Sequence, residues 1–372
     1  MKKLKSKVNL KDNYLITKTK RLTYSLLTLI FIITSYLSVL FIQKQFGTKT
    51  FIFSFKSFSP FIILALCILL IFYFLLDSLR FLYILKTLQI NVSLGYIIKL
   101  TFINFFVSNI TPFATGGGFA QIYFLNKKDI SLGDATAATT IRTVLPFIFF
   151  FITTPIILIK NKTILKIVPN VNNFIYILAI VIIYILAAYG FYKILNNTNI
   201  IKKNLSKILT YLHNKNIISK QSMEKFKYNT FLQIDIFATN IKKFLKGNKK
   251  YILLSILYMI LYLLSLFTFP VILIRALNSS ISISQIISIQ IVLTFVTYFA
   301  PTPGATGVAE GGFTLMFSSF IEKNDIVSLT FLWRFFTMYI GMLIGLIIFY
   351  LEISRNKNIK KKIYMNHVRE AT

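Results

Sequence analysis

Residues 94–118 read LGYIIKLTFINFFVSNITPFATGGG, and residues 283–307 read ISQIISIQIVLTFVTYFAPTPGATG. Each begins as an apolar run and then breaks at proline and glycine. Neither run reaches the roughly 20 apolar residues that a helix needs to cross the hydrocarbon core. Proline removes a backbone donor, and glycine admits unusual dihedrals. Lipid cannot replace the lost hydrogen bonds, so such breaks persist at membrane depth only where protein or water satisfies the freed groups. How these two stretches are read decides the fold.

The surrounding composition makes the membrane reading necessary. Of the 372 residues, 56% are hydrophobic and 14% are charged, and the mean hydropathy is +0.70. Soluble domains carry roughly 25% charged residues, which argues against a water-soluble globule. The 38 Phe and 20 Tyr require burial, which excludes intrinsic disorder. Six uninterrupted runs read as full spans: 23–42, 60–76, 141–159, 174–192, 251–274 and 327–351. The first follows eight basic residues without an Ala-x-Ala cleavage pattern, so it reads as a retained anchor.

Charge fixes the expected orientation. The chain carries 42 Lys+Arg against 11 Asp+Glu, a formal net charge of +31. Eight of the basic residues lie in 1–21, thirteen in 193–250 and six in 352–372. Each cluster abuts an apolar span, which points to cytoplasmic flanks on anionic lipid rather than to DNA. If 94–110 crossed completely, the thirteen-charge stretch would fall outside. A segment that dips in and turns back keeps it inside, and the mirror argument makes 283–320 a hairpin from the opposite face. The expected fold is therefore an all-α polytopic membrane protein of about six full spans plus two re-entrant, Pro/Gly-broken hairpins. Its parts are a basic cytoplasmic N-terminus (1–22), a first membrane half (23–192, hairpin 94–134), a basic linker (193–250), a second half (251–351, hairpin 283–320) and a basic tail (352–372). Both termini are expected in the cytoplasm, at the cell membrane. Within the linker, Met223, Phe226, Ile234, Phe237, Ile241 and Phe244 form the apolar stripe of an amphipathic helix over 217–247, lying on the membrane or against the bundle.

The halves repeat one another. Thr111-Pro112-x-x-Thr115-Gly116 answers Thr302-Pro303-x-x-Thr306-Gly307, and each precedes a span bearing one arginine, Arg142 or Arg334. Inverted repeats with discontinuous helices are how many transporters place substrate at the midplane. The candidate walls of an anionic-headgroup site are Thr111, Pro112, Gly116, Gly117, Gly118, Gln121, Pro301, Pro303, Gly304 and Gly307. Helix N-termini after such breaks offer unpaired N–H groups to phosphate. Packing of close helices is the competing role for the glycines. Arg142, expected near the cytoplasmic end of its span, Arg334, near the outer end of its own, and Glu310 are the charged members of the set. Glu310 is expected to pair with an arginine while the arginines handle lipid phosphate. Asp77 and Asp134, near span ends, read as capping or interfacial. No CxxC, HExxH or P-loop occurs, Cys67 stands alone in an apolar run and His213 and His367 sit in polar stretches, so neither a cofactor nor a metal is expected.

Pro301-x-Pro303-Gly304-x-x-Gly307-x-x-Glu310, with Asn109-x-x-Pro112-x-x-x-Gly116-Gly117, resembles the lysylphosphatidylglycerol synthase/flippase transmembrane-domain family over roughly residues 21–352. Ala305 stands where many members have a second glycine, and Gln121 near where some have a basic residue, so no charge role carries over to Gln121. The resemblance implies a membrane domain that moves aminoacylated phosphatidylglycerol across the bilayer. In full-length members a separate cytosolic C-terminal domain transfers lysine from lysyl-tRNA. The 21 residues after Leu351 are too few for one, so the membrane half alone is expected. The leading expectation is a flippase-like transporter of an anionic or aminoacylated phospholipid or another lipid-linked intermediate. Its partners would be that lipid, the surrounding membrane lipids and a separate lipid-modifying enzyme; neither DNA nor tRNA is expected. The alternatives are a phosphatidylglycerol lysyltransferase, which would confer resistance to cationic peptides but needs a partner or an unseen site, and a non-transporting scaffold.

Overall fold

A computed structural model describes residues 59–161, 195–215, 217–277 and 280–369, with isolated positions at 29, 33, 182, 189–190 and 192–193. Apart from those isolated positions, the expected spans 23–42 and 174–192 and the N-terminal 1–22 lie outside the described residues. The described chain is helical throughout and contains no strand. Its order is α1 (Pro60–Thr87), α2 (Leu94–Asn109), a 3-10 turn (Pro112–Ala114), α3 (Gly116–Asn126) and α4 (Leu132–Lys160). There follow α5 (Asn199–Asn214), α6 (Lys220–Lys246), α7 (Lys249–Ala276), α8 (Ile283–Thr297), a second 3-10 turn (Pro303–Ala305) and α9 (Val308–Phe317). The last elements are α10 (Lys323–Arg334), a π-helical turn (Phe335–Tyr339) and α11 (Ile340–Arg369).

Among the described residues, four helices are long and apolar enough to cross a membrane: Pro60–Thr87, Leu132–Lys160, Lys249–Ala276 and Asp325–Ser354. Two extend well beyond the runs read in the sequence, for identifiable reasons. The 60–76 run continues to Thr87 because the polar residues that seemed to end it satisfy one another inside the bundle. Asp77 and Arg80 pair at 2.5 Å one helical turn apart, and the Ser78 hydroxyl donates to the Phe74 carbonyl and to Thr101 Oγ1. The 141–159 helix starts nine residues earlier, at Leu132, because Ser131 caps it by accepting from the Asp134 N–H. Its small residues Ala135, Ala137 and Ala138 pack in the core. Asp134 sits in the first turn behind this cap, its carboxylate accepting from the Ser131 hydroxyl. The last span runs on through the π turn without a break.

At 1.5 Å per residue, α2 and α8 are each about 22–24 Å long and α3 and α9 about 15–17 Å, against a hydrocarbon core of about 30 Å. None of these legs reaches across. α2 and α3 pack as a hairpin, as do α8 and α9, and α1 and α7 pack along each other between them. Each hairpin has its own apolar core. Phe81, Ile97, Ile103, Phe106, Phe124 and Phe349 surround the first; Phe269, Ile289, Leu293, Phe313, Phe317 and Trp333 surround the second. The cores meet where Phe74 contacts Phe102 and Phe105, at ring centroids of 4.4 and 5.3 Å.

The linker holds two helices, of which the sequence announced only α6. Of the α6 stripe, Met223, Ile241 and Phe244 are buried, Ile234 and Phe237 are half-buried and Phe226 is exposed. The helix lies against the bundle, on the N-terminal end of α4. Gln233 accepts from the Gly133 N–H at 2.7 Å, Asn240 donates to Asp134 and Lys243 donates to the Leu88 carbonyl. A side chain at Gly133 would meet the Gln233 carbonyl at 2.7 Å, so glycine is what permits this approach. α5 is tied to α6 by Lys202, whose ammonium donates to both Asp235 oxygens and holds that carboxyl below its ordinary range.

α11 approaches α2 closely. A methyl at Gly345 would lie 2.3 Å from the Phe102 carbonyl oxygen, an overlap with backbone that cannot swing away. Gly345→Ala is expected to lower stability by about 1–3 kcal/mol, read as the unfolding temperature of the purified chain in detergent. An unchanged temperature would mean that α2 and α11 do not pack this way.

Candidate functional site

The two Pro-containing breaks adopt one turn twice. Thr111 and Thr302 are extended, and each leads through proline into two consecutive left-handed residues. These are Phe113 and Ala114 (both φ 53°) in the first elbow, and Gly304 (φ 59°) and Ala305 (φ 54°) in the second. The Ala114 N–H donates to the Thr111 carbonyl at 3.2 Å, and the Ala305 N–H to the Thr302 carbonyl at 3.0 Å. The Thr115 and Thr306 hydroxyls donate to the Pro112 and Pro303 carbonyls at 3.1 and 2.7 Å. The two turns touch: each of residues 112–114 lies within 8 Å, Cα to Cα, of each of residues 303–305.

Beyond the turns the halves differ. In the first elbow the Gly116 N–H donates to Thr111 Oγ1 at 3.0 Å, and a side chain at Gly117 would collide with Asn104 and Ser108 of α2. Both glycines thus serve close packing, whereas Gly118 faces open space. Gln121 is buried, its amide 3.5 Å from the Leu100 carbonyl. Pro112, Phe113, Ala114 and Thr115 are exposed.

In the second elbow Pro301 is exposed, and Gly307 takes φ +87°, which favours glycine. The Gly307 N–H donates to Glu310 Oε2 at 2.7 Å. Arg334 Nε donates to Glu310 Oε1 at 2.8 Å, and its Nη2 donates to the Gly304 carbonyl at 2.5 Å. Of the two arginines offered as partners for Glu310, Arg334 is the one in reach. Glu310 and Arg334 are both buried. The positive start of α9 is thus met by a resident carboxylate, and the same ion pair latches the elbow to the last long helix just before its π turn. Such turns recur at functional sites.

Arg142 is elsewhere. It lies three turns into α4, not near its end, and donates to Asp77 Oδ2, while Arg80 donates to Oδ1. Asp77 is 4% exposed: it is the buried hub of two arginines and not an interfacial residue. The Arg80 guanidinium lies 4.8 Å over the Tyr262 ring, and Tyr262 shares a hydroxyl contact of 3.1 Å with Tyr73. The sequence carried one signal for this group: an acidic and a basic residue one helical turn apart at the end of an apolar run. Beside the elbows, Asn109, Thr294, Thr297, Trp333, Arg334 and Thr337 border a recess of about 130 Å³. The Trp333 Nε1–H is buried and has no acceptor. The Thr297 and Thr337 hydroxyls donate to their own helices, to the carbonyls of Thr294 and Trp333.

The profile of the family described as the lysylphosphatidylglycerol synthase TM region matches residues 25–345, both elbows included. The chain belongs to that family. Among curated relatives, a UPF0104 membrane protein of Archaeoglobus fulgidus is 22% identical over 291 residues, covering 78% of this chain and 86% of its own length. A UPF0104 membrane protein of Methanocaldococcus jannaschii is 26% identical over 330 residues, covering 86% and 93%. Family and span-length helices together make this a multi-pass membrane protein.

Two tests follow from the elbow geometry. Ala305, left-handed at φ 54°, departs from glycine at a position glycine fits better, so Ala305→Gly is expected to stabilise the chain by about 1 kcal/mol in thermal unfolding; a loss of stability would contradict the turn. Breaking the Glu310–Arg334 pair leaves a buried charge uncompensated, at about 3–5 kcal/mol. Glu310→Gln and Arg334→Met alone are each expected to be costly, and the double variant to recover more than half of their summed loss. Additive losses would mean that the two groups do not interact.

Proposed function

We propose that this chain moves a phospholipid with an anionic or aminoacylated headgroup across the cell membrane, as a flippase-like transporter, with the headgroup passing between the two elbows. The observation that carries this reading is the meeting of two half-length hairpins beside a recess edged by Arg334. A path for a polar headgroup needs polar groups at mid-membrane, separate approaches from the two faces and an element that can change shape. The recess is bordered by the charged donor Arg334. The hairpins supply the two approaches. The left-handed Phe113, Ala114 and Ala305 hold strain of the kind that collects at switching segments.

The exposed, irregular residues 112–115 support the same reading, since irregular backbone at membrane depth belongs to water-lined cavities. The recess, at about 130 Å³, accepts a group the size of a phosphate, so acyl chains would stay in lipid alongside the hairpins. The basic stretches at 193–250 and in both tails orient these faces, with the termini and the α5–α6 layer in the cytoplasm. A separate lipid-modifying enzyme would supply an aminoacylated substrate.

The test is transport by the full chain in liposomes of defined lipid, scored by a membrane-impermeant headgroup reagent. Wild type is expected to expose labelled anionic or lysylated phosphatidylglycerol faster than empty liposomes. Glu310→Gln and Arg334→Gln, reconstituted at equal amounts, are expected to slow exposure about tenfold or more, the effect of losing one charge-assisted contact. Exposure unchanged in both variants would overturn the reading.

A further inference from the structure

Five charged side chains are buried among the described residues: Asp77, Arg80, Arg142, Glu310 and Arg334. Three are guanidiniums, which never deprotonate in proteins, and two are carboxylates. Glu310 is matched one to one by Arg334. Asp77 alone faces Arg80 and Arg142, which leaves one positive charge without a counter-ion. The undescribed spans cannot supply one, because the sequence holds no Asp or Glu between Asp12 and Asp77 or between Asp134 and Glu224.

The unmatched charge has unmatched hydrogen-bond donors to go with it. Arg80 Nε and Nη1 and Arg142 Nε are buried without an acceptor, while both side chains are only 5% exposed. Tyr262 covers the flat face of one guanidinium and Phe81 that of the other, at 4.8 and 5.1 Å. What remains of each group is an edge of N–H donors. An uncompensated buried charge is costly, and a fold keeps one only for a use.

We infer that Arg80 and Arg142 form a second, occludable oxyanion site, which takes a phosphate-class group as the missing counter-ion of Asp77. The inference deepens the transport reading and rests on it for the ligand's route: the site would hold a headgroup phosphodiester at a station apart from the elbow recess. The chemistry is shared by a lipid headgroup and by inorganic phosphate.

The experiment is thermal unfolding of the delipidated full chain in neutral detergent. It is titrated with inorganic phosphate, with phosphatidylglycerol and with diacylglycerol, which lacks the phosphate. Wild type is expected to gain unfolding temperature with rising phosphatidylglycerol and none with diacylglycerol. A gain with inorganic phosphate as well assigns a general oxyanion site, and none with it assigns the lipid as the source. Arg80→Gln removes the unmatched charge and leaves Asp77 and Arg142 as a balanced pair. It is expected to fold, to unfold no more than a few degrees below wild type without ligand, and to require about 10- to 100-fold more phosphatidylglycerol for the same gain. A gain identical to that of wild type, a failure of Arg80→Gln to fold, or no response of wild type to any oxyanion would each overturn the inference. Loss of lipid exposure in the Glu310 variant with the Arg80-dependent gain intact, or the reverse, separates this site from the elbow path.

Discussion

A helix broken inside a bilayer would leave backbone N–H and C=O groups that no lipid can satisfy, and this chain breaks two apolar helices at Pro/Gly elbows. The second break is held by one buried ion pair. Arg334 reaches both Glu310 and the Gly304 carbonyl, and Glu310 reaches the Gly307 N–H, so two backbone groups at the break are closed by two paired side chains. The first break uses weaker means: a threonine hydroxyl on Gly116 and backbone contact between Gly117 and α2. One elbow is charged and latched while the other is neutral and exposed. The two elbows are therefore symmetric in their turns and asymmetric in what secures them.

That asymmetry reaches the arginines. The position answering Glu310 in the first half is Phe119, which is exposed. Arg142 cannot repeat the Arg334 latch, and it joins Arg80 on Asp77 of α1 instead. Two polar stations result, one at the elbows and one between α1 and α4, each embedded in an aromatic core. Under the proposed transport reading, the two stations would be successive positions of a headgroup.

Much of this was legible in the sequence because hydropathy and proline speak directly to bilayer physics. The hairpins, their elbows and the Thr-Pro repeat could be placed from 94–118 and 283–307 alone. What the sequence hid was long-range pairing. Asp77 and Arg80 look like the polar exit from a span until Arg142, 65 positions away, is seen on the same carboxylate. α5, with lysine on nearly every turn, has no bilayer signature and takes its place from Asp235 on α6. The glycines mislead in the same way: Gly117 reads as a ligand-facing residue, yet its missing side chain is filled by α2. Local propensity locates breaks, and only packing tells which of them are filled.

The central claim is that the two elbows meet inside the membrane, and proximity cross-linking tests it most directly. In a chain with Cys67 replaced by serine, Ala114→Cys and Ala305→Cys would be introduced together and treated in native membranes with a bifunctional thiol reagent of about 8 Å span. The account predicts efficient intramolecular cross-linking, abolished when either cysteine is omitted. Absence of any cross-link, with both cysteines freely labelled from the same side of the membrane, would contradict it.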